Sequence, residues 1–360
     1  SSSSSGSHTV SREWRARNRR DHRPKRIPDR INTAYCPFEV KFAPDDLLNG
    51  LFEFCQSWEK ININITLYIK GSQWDNLSQE IWDKFMKSQQ TEATFHKKMH
   101  LWRHLYGTIR SIFPRYGLYV VGSTMTGFGL ESSDMDLCLY VRATGHNMEP
   151  RTHALLHLEY MLSFIRAFDP DAELIQAKVP ILKFRDEYSG VQVDLNCNNV
   201  VGIRNTSMLL YAYLEKCDWR VRPLVAVVKL WARANCINDA RRRTLSSYAL
   251  TLMVIHFLQC GTNPWVLPRV PEVMFSNFFV MMPTHAEVCS RLILFSAELV
   301  TQATMNCAMP VPEPFDLTNT ARSVYDPETF EKIVKAFRDS FKRLSGCLRL
   351  CESITLGCDT

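Results

Sequence analysis

The chain has 360 residues, 46% hydrophobic and 22% charged, with a formal net charge of +6 and a pI near 8.7. That is long enough for two domains with their own cores and too apolar for a disordered chain, and the charge leans only mildly towards anionic partners. No apolar run approaches the ~18 residues of a membrane-spanning helix, so no membrane attachment is expected.

The polar start, Ser1–Ser7, has no signal-peptide pattern. The twelve cysteines are scattered, with Cys347 and Cys351 the closest pair. None has zinc-ligand spacing, which predicts reduced thiols and a cytoplasmic location. Residues 1–35 lack periodicity and are expected to be a disordered basic segment. Within it, Arg12–Arg30 holds nine Lys or Arg against three acids. A solvated tail and an electrostatic arm for nucleic acid are both open readings.

Residues 36–91 are predicted as N-terminal helices packing on a central domain, one opening at Asp45 and one over Leu77–Gln89. A third helix is expected from Thr94 to Ile112. The first strong strand is Leu118–Val121, ended by Gly122-Ser123, and a second runs Asp136–Val141. A helix over 150–168 follows, then short runs at Glu173–Ala177, Pro180–Arg185 and Val191–Leu195. Asp186–Gly190, acid, Ser and Gly between alternating apolar runs, signals a hairpin. Residues 92–204 therefore read as a catalytic domain, a mixed sheet with helices. Residues 205–345 read as a mainly helical domain, with stripes at Leu224–Ala232, Leu245–Leu258 and Ala286–Thr301 and Pro-rich breaks at Asn263–Pro271 and Met309–Pro314. Residues 346–360 are a tail. The fold class is α+β.

The strongest chemical signal is Gly122-Ser123, then Asp134-Met135-Asp136, then Asp194. Residues i and i+2 of a strand share a face, so Asp134 and Asp136 can aim at one point. Asp194 alternates opposite Val191, Val193 and Leu195, and a neighbouring strand can set it beside the other two. Three carboxylates in one cleft repel unless cations neutralise them, and oxygen ligands suit two Mg²⁺ or Mn²⁺ ions. Gly122 allows close backbone approach, and a backbone N–H with the Ser123 hydroxyl can hold phosphate oxygens. A bare Asp-x-Asp alone is weak evidence; its strength here is the combination.

Val121-Gly122-Ser123, Asp134-Met135-Asp136-Leu137 and Val193–Asn199 resemble the motifs of polymerase-β-like terminal RNA nucleotidyltransferases. Gly202–Thr206, Val228–Ala232, Arg243–Tyr248 and Glu313–Arg322 continue the likeness over about residues 75–345. The nearest type is the cytoplasmic poly(A) polymerase of the germline-development (GLD) kind. The resemblance implies addition of AMP from ATP to RNA 3′ ends, with Asp134, Asp136 and Asp194 catalytic and metal-binding. It places Lys229 and Arg233 on the triphosphate, although a snorkelling Lys229 is the plain alternative. It makes Ser247 a phosphate contact and Tyr248 a base platform, where pattern alone allows a helix cap and a core tyrosine. Asn205, alternatively a cap, is assigned to the ribose 2′-hydroxyl, with Asn199 in support.

Asp316, Asn319 and Arg322 belong to the base-recognition loop. Uridylating relatives carry a histidine before the matching asparagine. Here Thr318 precedes Asn319, which leaves room for adenine. Arg241, Arg242 and Arg243 are a basic run, either solvated or touching RNA weakly. No RNA-recognition module is visible, so an RNA-binding partner protein is expected to choose the message. The alternatives are a uridylyltransferase and, in another class, a catalytically silent scaffold. The i, i+4 pairs His100/His104 and His153/His157, like His256, lack a third ligand and read as satisfied or exposed histidines.

Overall fold

The computed structural model describes residues 71–141, 149–209, 218–262, 266–267, 319–347 and 350, all within one compact unit, Phe42–Thr360. The basic stretch Arg12–Arg30, the helix opening at Asp45, the helix Ala286–Thr301, the break Met309–Pro314, Asp316, Thr318, most of the break Asn263–Pro271 and most of the tail lie outside the described residues.

Five strands form one sheet: β1 (Tyr116–Val121), β2 (Met135–Val141), β3 (Glu173–Ile175), β4 (Ile181–Arg185) and β5 (Gln192–Cys197), in the order β1-β2-β5-β4-β3. All neighbours are antiparallel except β2 and β5. The hairpin expected between β4 and β5 is present. Asp186 accepts from the N–H and hydroxyl of Ser189, and Gly190 takes the positive φ of 71° that closes the turn.

Met135, Leu137, Leu139 and Val141 alternate into a core with Val193, Leu195 and Cys197. Two helices cover that face: α1 (Glu92–Ile112), through Phe95, Met99, Trp102, Leu105 and Ile109, and α2 (Pro150–Ile165), through Leu158, Met161 and Ile165. Helix α1 starts two residues before the expected Thr94, because Thr91 caps it by accepting from the Thr94 N–H. Helix α2 opens with Pro150 behind a Glu149 cap. It ends at Ile165, short of residue 168, where Asp169-Pro170 turns the chain away.

A second core joins α3 (Val221–Ala234), α4 (Ser247–Cys260) and α5 (Pro327–Cys347) with α0 (Asp75–Ser88), whose Leu77 and Ile81 are fully buried there. Trp231 locks α3 to α5: its indole N–H donates to Ser340 Oγ at 2.8 Å and its ring lies 4.7 Å from that of Phe337. A short helix α6 (Ser123–Thr126) follows β1, and α7 (Val200–Met208) follows β5.

Leu195 is 1% exposed at the centre of β5. Leu195→Ala is expected to destabilise the fold by about 2–5 kcal/mol, from lost burial plus the cavity left behind. Urea unfolding followed by tryptophan fluorescence measures this; a change below about 1 kcal/mol would contradict this account of the core.

Candidate active site

The parallel pairing of β2 and β5 puts Asp136 directly opposite Asp194. Both sit on the face away from the apolar core, because their neighbours Met135, Leu137, Val193 and Leu195 point into it. Asp134 lies just before β2, so the surrounding loop rather than the strand sets its position. A lysine that sequence reading missed joins them. Lys183 stands opposite Asp194 in the β4–β5 register. Its Nζ donates to Asp134 Oδ2 at 2.9 Å and forms an ion pair with Asp194 Oδ1 at 3.2 Å. Its signal was the alternation Ile181-Leu182-Lys183-Phe184, legible only once the hairpin register is known.

Burial pushes the Asp136 carboxyl up to about 7, and the charges of Asp194 and Asp134 add to it. Burial works against the Lys183 ammonium, but the hydrogen bond and charge of Asp134 and the charge of Asp194 outweigh it and raise its pKa. The backbone at Gly122 adopts φ 74° and ψ −150°, and a Cβ there would sit 2.5 Å from Asp136 Oδ2. Only glycine tolerates both demands. The Gly122 N–H donates to Thr206 Oγ1 at 2.8 Å, and that hydroxyl donates to Gly202 O. This amide is therefore committed to α7, although Gly122 and Ser123 both line the cleft.

The cleft has a volume of about 780 Å³. Gly122, Ser123 and the three aspartates line one side. Lys229, Arg233, Ser247, Tyr248 and Arg322 line the other, with Asn199 and Asn205 of the α7 segment between. Asn199, not Asn205, caps α7, accepting from the Gly202 N–H. Asn205 lies within the helix, and its buried Oδ1 has no hydrogen-bond partner. Ser246, not Ser247, caps α4; Ser247 Oγ donates to Asn238 Oδ1 at 3.2 Å. Tyr248 is half-buried against the second core.

Lys229 does not snorkel. It is 4% exposed, and its Nζ donates to Phe128 O at 2.9 Å. Burial lowers its pKa to about 8, assisted by Arg233 and opposed by Asp136. Arg233 is exposed and donates to Ser132 Oγ at 3.3 Å.

Asn319 lies beside the cleft rather than in its lining; its Oδ1 accepts from the Ala321 N–H. Arg241, Arg242 and Arg243 are exposed and do not line the cleft. Arg242 reaches Asp239 at 3.6 Å, and Arg243 stacks 5.2 Å from the Tyr325 ring centroid. His153 and His157 approach at 3.2 Å, and His157 meets the Tyr116 hydroxyl at 2.6 Å; His100, His104 and His256 are exposed.

Among the described residues no three His, Cys, Asp or Glu groups converge as a finished metal cage. Asp134 and Asp194 are instead drawn to Lys183. The donor set nevertheless fits a hard divalent cation. It is all carboxylate oxygen, Asp194 Oδ1 is buried without a hydrogen bond, and burial together with the charges of Asp194 and Asp134 raises the proton affinity of Asp136.

Residues 77–215 match the family model described as the central palm domain of mitochondrial-like poly(A) RNA polymerase. A solved GLD-2 chain, from a complex with RNP-8, is 36% identical. It superposes with a TM-score of 0.65, over 79% of this chain and 98% of that one. The chain belongs to the GLD-2 family of poly(A) RNA polymerases. Within that family, the Drosophila melanogaster protein "Poly(A) RNA polymerase gld-2 homolog A" is 38% identical over 328 residues, 78% of this chain and 24% of its own length. The chain thus spans about a quarter of that GLD-2 relative. The Cid1 poly(U) polymerase, 21% identical, shares the fold with a TM-score of 0.64 over 79% of this chain and 99% of its own. The fold of this GLD-2 family member is that of the polymerase-β-like nucleotidyltransferases.

Two outcomes follow from the geometry. Gly122→Ala should displace Asp136 and cut nucleotide addition at least about 100-fold, the scale of a misplaced reacting group, while circular dichroism stays native. Wild-type rates would remove the close approach from the argument. Lys229 has a folded pKa below its unfolded value of 10.5. Between pH 8 and 10.5 the unfolded chain binds more protons there, so wild type should gain stability relative to Lys229→Met as pH rises through that window. Denaturant midpoints of both proteins at pH 7.5, 9 and 10 measure it; parallel pH curves would show that Lys229 is not held in a low-dielectric site.

Proposed function

We propose that the chain is a template-independent poly(A) polymerase that adds AMP from ATP to RNA 3′ ends. The observation that carries this is Asp136 in register with Asp194, with Asp134 beside them, across one cleft from Lys229, Arg233 and Tyr248. In the reaction the RNA 3′-hydroxyl attacks the α-phosphate. A new O–P bond forms, and the bond to the β-phosphate bridging oxygen breaks, releasing pyrophosphate. Two ions, Mg²⁺ or Mn²⁺, held by Asp134, Asp136 and Asp194, would neutralise the carboxylates and draw charge from the attacking and leaving oxygens.

The chain's own residues do the rest. Asp194 Oδ1, buried and without a hydrogen bond, orients the attacking hydroxyl and takes its proton. Lys229 and Arg233 supply positive charge to the triphosphate, with Ser123 and Ser247 as hydroxyl contacts. Asn205, whose Oδ1 lacks a partner, accepts from the ribose 2′-hydroxyl, with Asn199 in support. Tyr248 is the base platform. Asp316, Asn319 and Arg322 frame the base, where a loop without the uridylating histidine favours adenine. Arg241–Arg243 give weak RNA contacts.

Residues 92–204 are assigned as the catalytic domain and 205–345 as the nucleotide-recognition domain; of the N-terminal segment 36–91, the described helix α0 packs in the second core. The solved GLD-2 relative is in complex with RNP-8. A partner RNA-binding protein is correspondingly assigned here to message selection, in the cytoplasm.

The test is the purified chain with oligo(A), Mg²⁺ or Mn²⁺ and each NTP separately. ATP should exceed UTP in kcat/KM, and a histidine inserted after Thr318 should shift the ratio towards UTP by about 1–3 kcal/mol. Asp136→Ala should lower addition by about 1,000-fold or more, equivalent to several kcal/mol of lost charge stabilisation. Equal use of ATP and UTP would leave a transferase without the poly(A) assignment. No transfer with any NTP would leave the scaffold reading.

A further inference from the structure

Lys98 lies in the second turn of α1 and is 2% exposed. An ammonium group taken that far from water needs partners for its N–H bonds, and an apolar residue would fill the space at less cost. The partners are specific. Lys98 Nζ donates to Gln90 Oε1 at 2.8 Å and to Ser133 O at 2.8 Å, and it reaches Thr124 Oγ1 at 3.5 Å. These acceptors belong to three separate pieces of the site: the linker between α0 and α1, the short helix after Gly122-Ser123, and the peptide that leads into Asp134.

That last contact matters because Asp134 precedes β2. No strand ladder fixes it. Its position follows from the loop 128–134 and from the peptide at Ser133. Gln90 reinforces the same junction, donating its side-chain amide to Thr124 O at 3.3 Å and its backbone N–H to Gly129 O at 3.1 Å. The Lys98 charge also faces Asp136, Glu131 and Asp134, which hold it protonated against its burial.

From this geometry we infer that Lys98 is a positioning residue: through Ser133 O and Thr124 it fixes Asp134 relative to the Gly122-Ser123 turn, and so sets the geometry in which the aspartates take up a divalent cation. The inference rests on the metal-binding reading of those aspartates. A counter-charge role makes the opposite demand. Removing a cation that only repelled the metal would tighten metal binding; removing one that places a ligand weakens it.

The experiment is Mn²⁺ binding to the full chain without nucleotide, read from the loss of the free-ion electron paramagnetic resonance signal. Wild type, Asp134→Asn, Lys98→Met and Gln90→Met are compared. Lys98→Met should raise the Mn²⁺ dissociation constant about 10–100-fold, the usual effect of losing a partner that orients a metal ligand. Gln90→Met, at a half-exposed linker position, should raise it about 3–10-fold, at the lower edge of the same scale. In the transfer assay the Mn²⁺ midpoint should rise by the same factor, with KM for ATP unchanged at saturating metal. If Lys98→Met does not fold, Gln90→Met decides, because it loosens the same junction without removing the buried charge. Unchanged or tighter Mn²⁺ binding in the folded variants overturns the positioning role. Wild type and Asp134→Asn binding Mn²⁺ equally would overturn the metal reading itself, and this inference with it.

Discussion

The parallel pairing of β2 with β5 is the constraint on which the rest of the site depends. Parallel register leaves no freedom: with Leu137 against Leu195 in the core, Asp136 must stand against Asp194 on the other face. The apolar alternation that stabilises the sheet thus forces two carboxylates together. The fold has to supply compensation, and it does so with lysines from different elements: Lys183 from β4, Lys98 from α1 and Lys229 from α3. Each is partly or wholly withdrawn from water, where a charge acts over a longer range than on the surface.

The loop between the Gly122-Ser123 turn and Asp134 is where the two cores meet. From the helical core, the Arg222 side chain donates to Gly127 O at 3.1 Å, Lys229 donates to Phe128 O and Arg233 to Ser132 Oγ. From the sheet core, Lys98 holds Ser133 O. Thr91 and Thr94 at the start of α1 grip the Glu131 carboxylate. Cationic side chains bonded to the carbonyls of Gly127, Phe128 and Ser133 place the main chain of this loop, and its own Glu131 and Ser132 side chains add further anchors. The cleft is assembled across that seam, so its shape depends on how both cores seat the same seven or so residues.

Much of this was legible in the sequence, and the reason is periodicity. Strands declare their faces by alternation, so Asp136 and Asp194 announced their common side, and Gly122-Ser123 marked the end of β1. The helix stripes around Val225 and Val254 likewise gave the second core. What stayed hidden were the contacts that need register or tertiary docking. Lys183 became meaningful only when the hairpin set it against Asp194. Lys98 falls on the apolar stripe of Phe95, Met99 and Trp102, but a lysine in such a stripe reads first as one whose stem is buried and whose ammonium reaches water. The caps were off by one or more positions at Ser247 and Asn205 because adjacent hydroxyl and amide residues, Ser246 and Asn199, compete for the same role.

The three carboxylates are consequently unequal. Asp136 is held on a strand and crowded by the Gly122 backbone, and burial raises its proton affinity. Asp134 and Asp194 share Lys183, at 2.9 and 3.2 Å. Asp136 thus feels lysine charge without contact, from Lys98 and Lys229, while Asp134 and Asp194 have an ammonium against them. Lys183 therefore ties Asp134 and Asp194 to β4, whereas Asp136 is placed by its own strand and by the close approach of the Gly122 backbone.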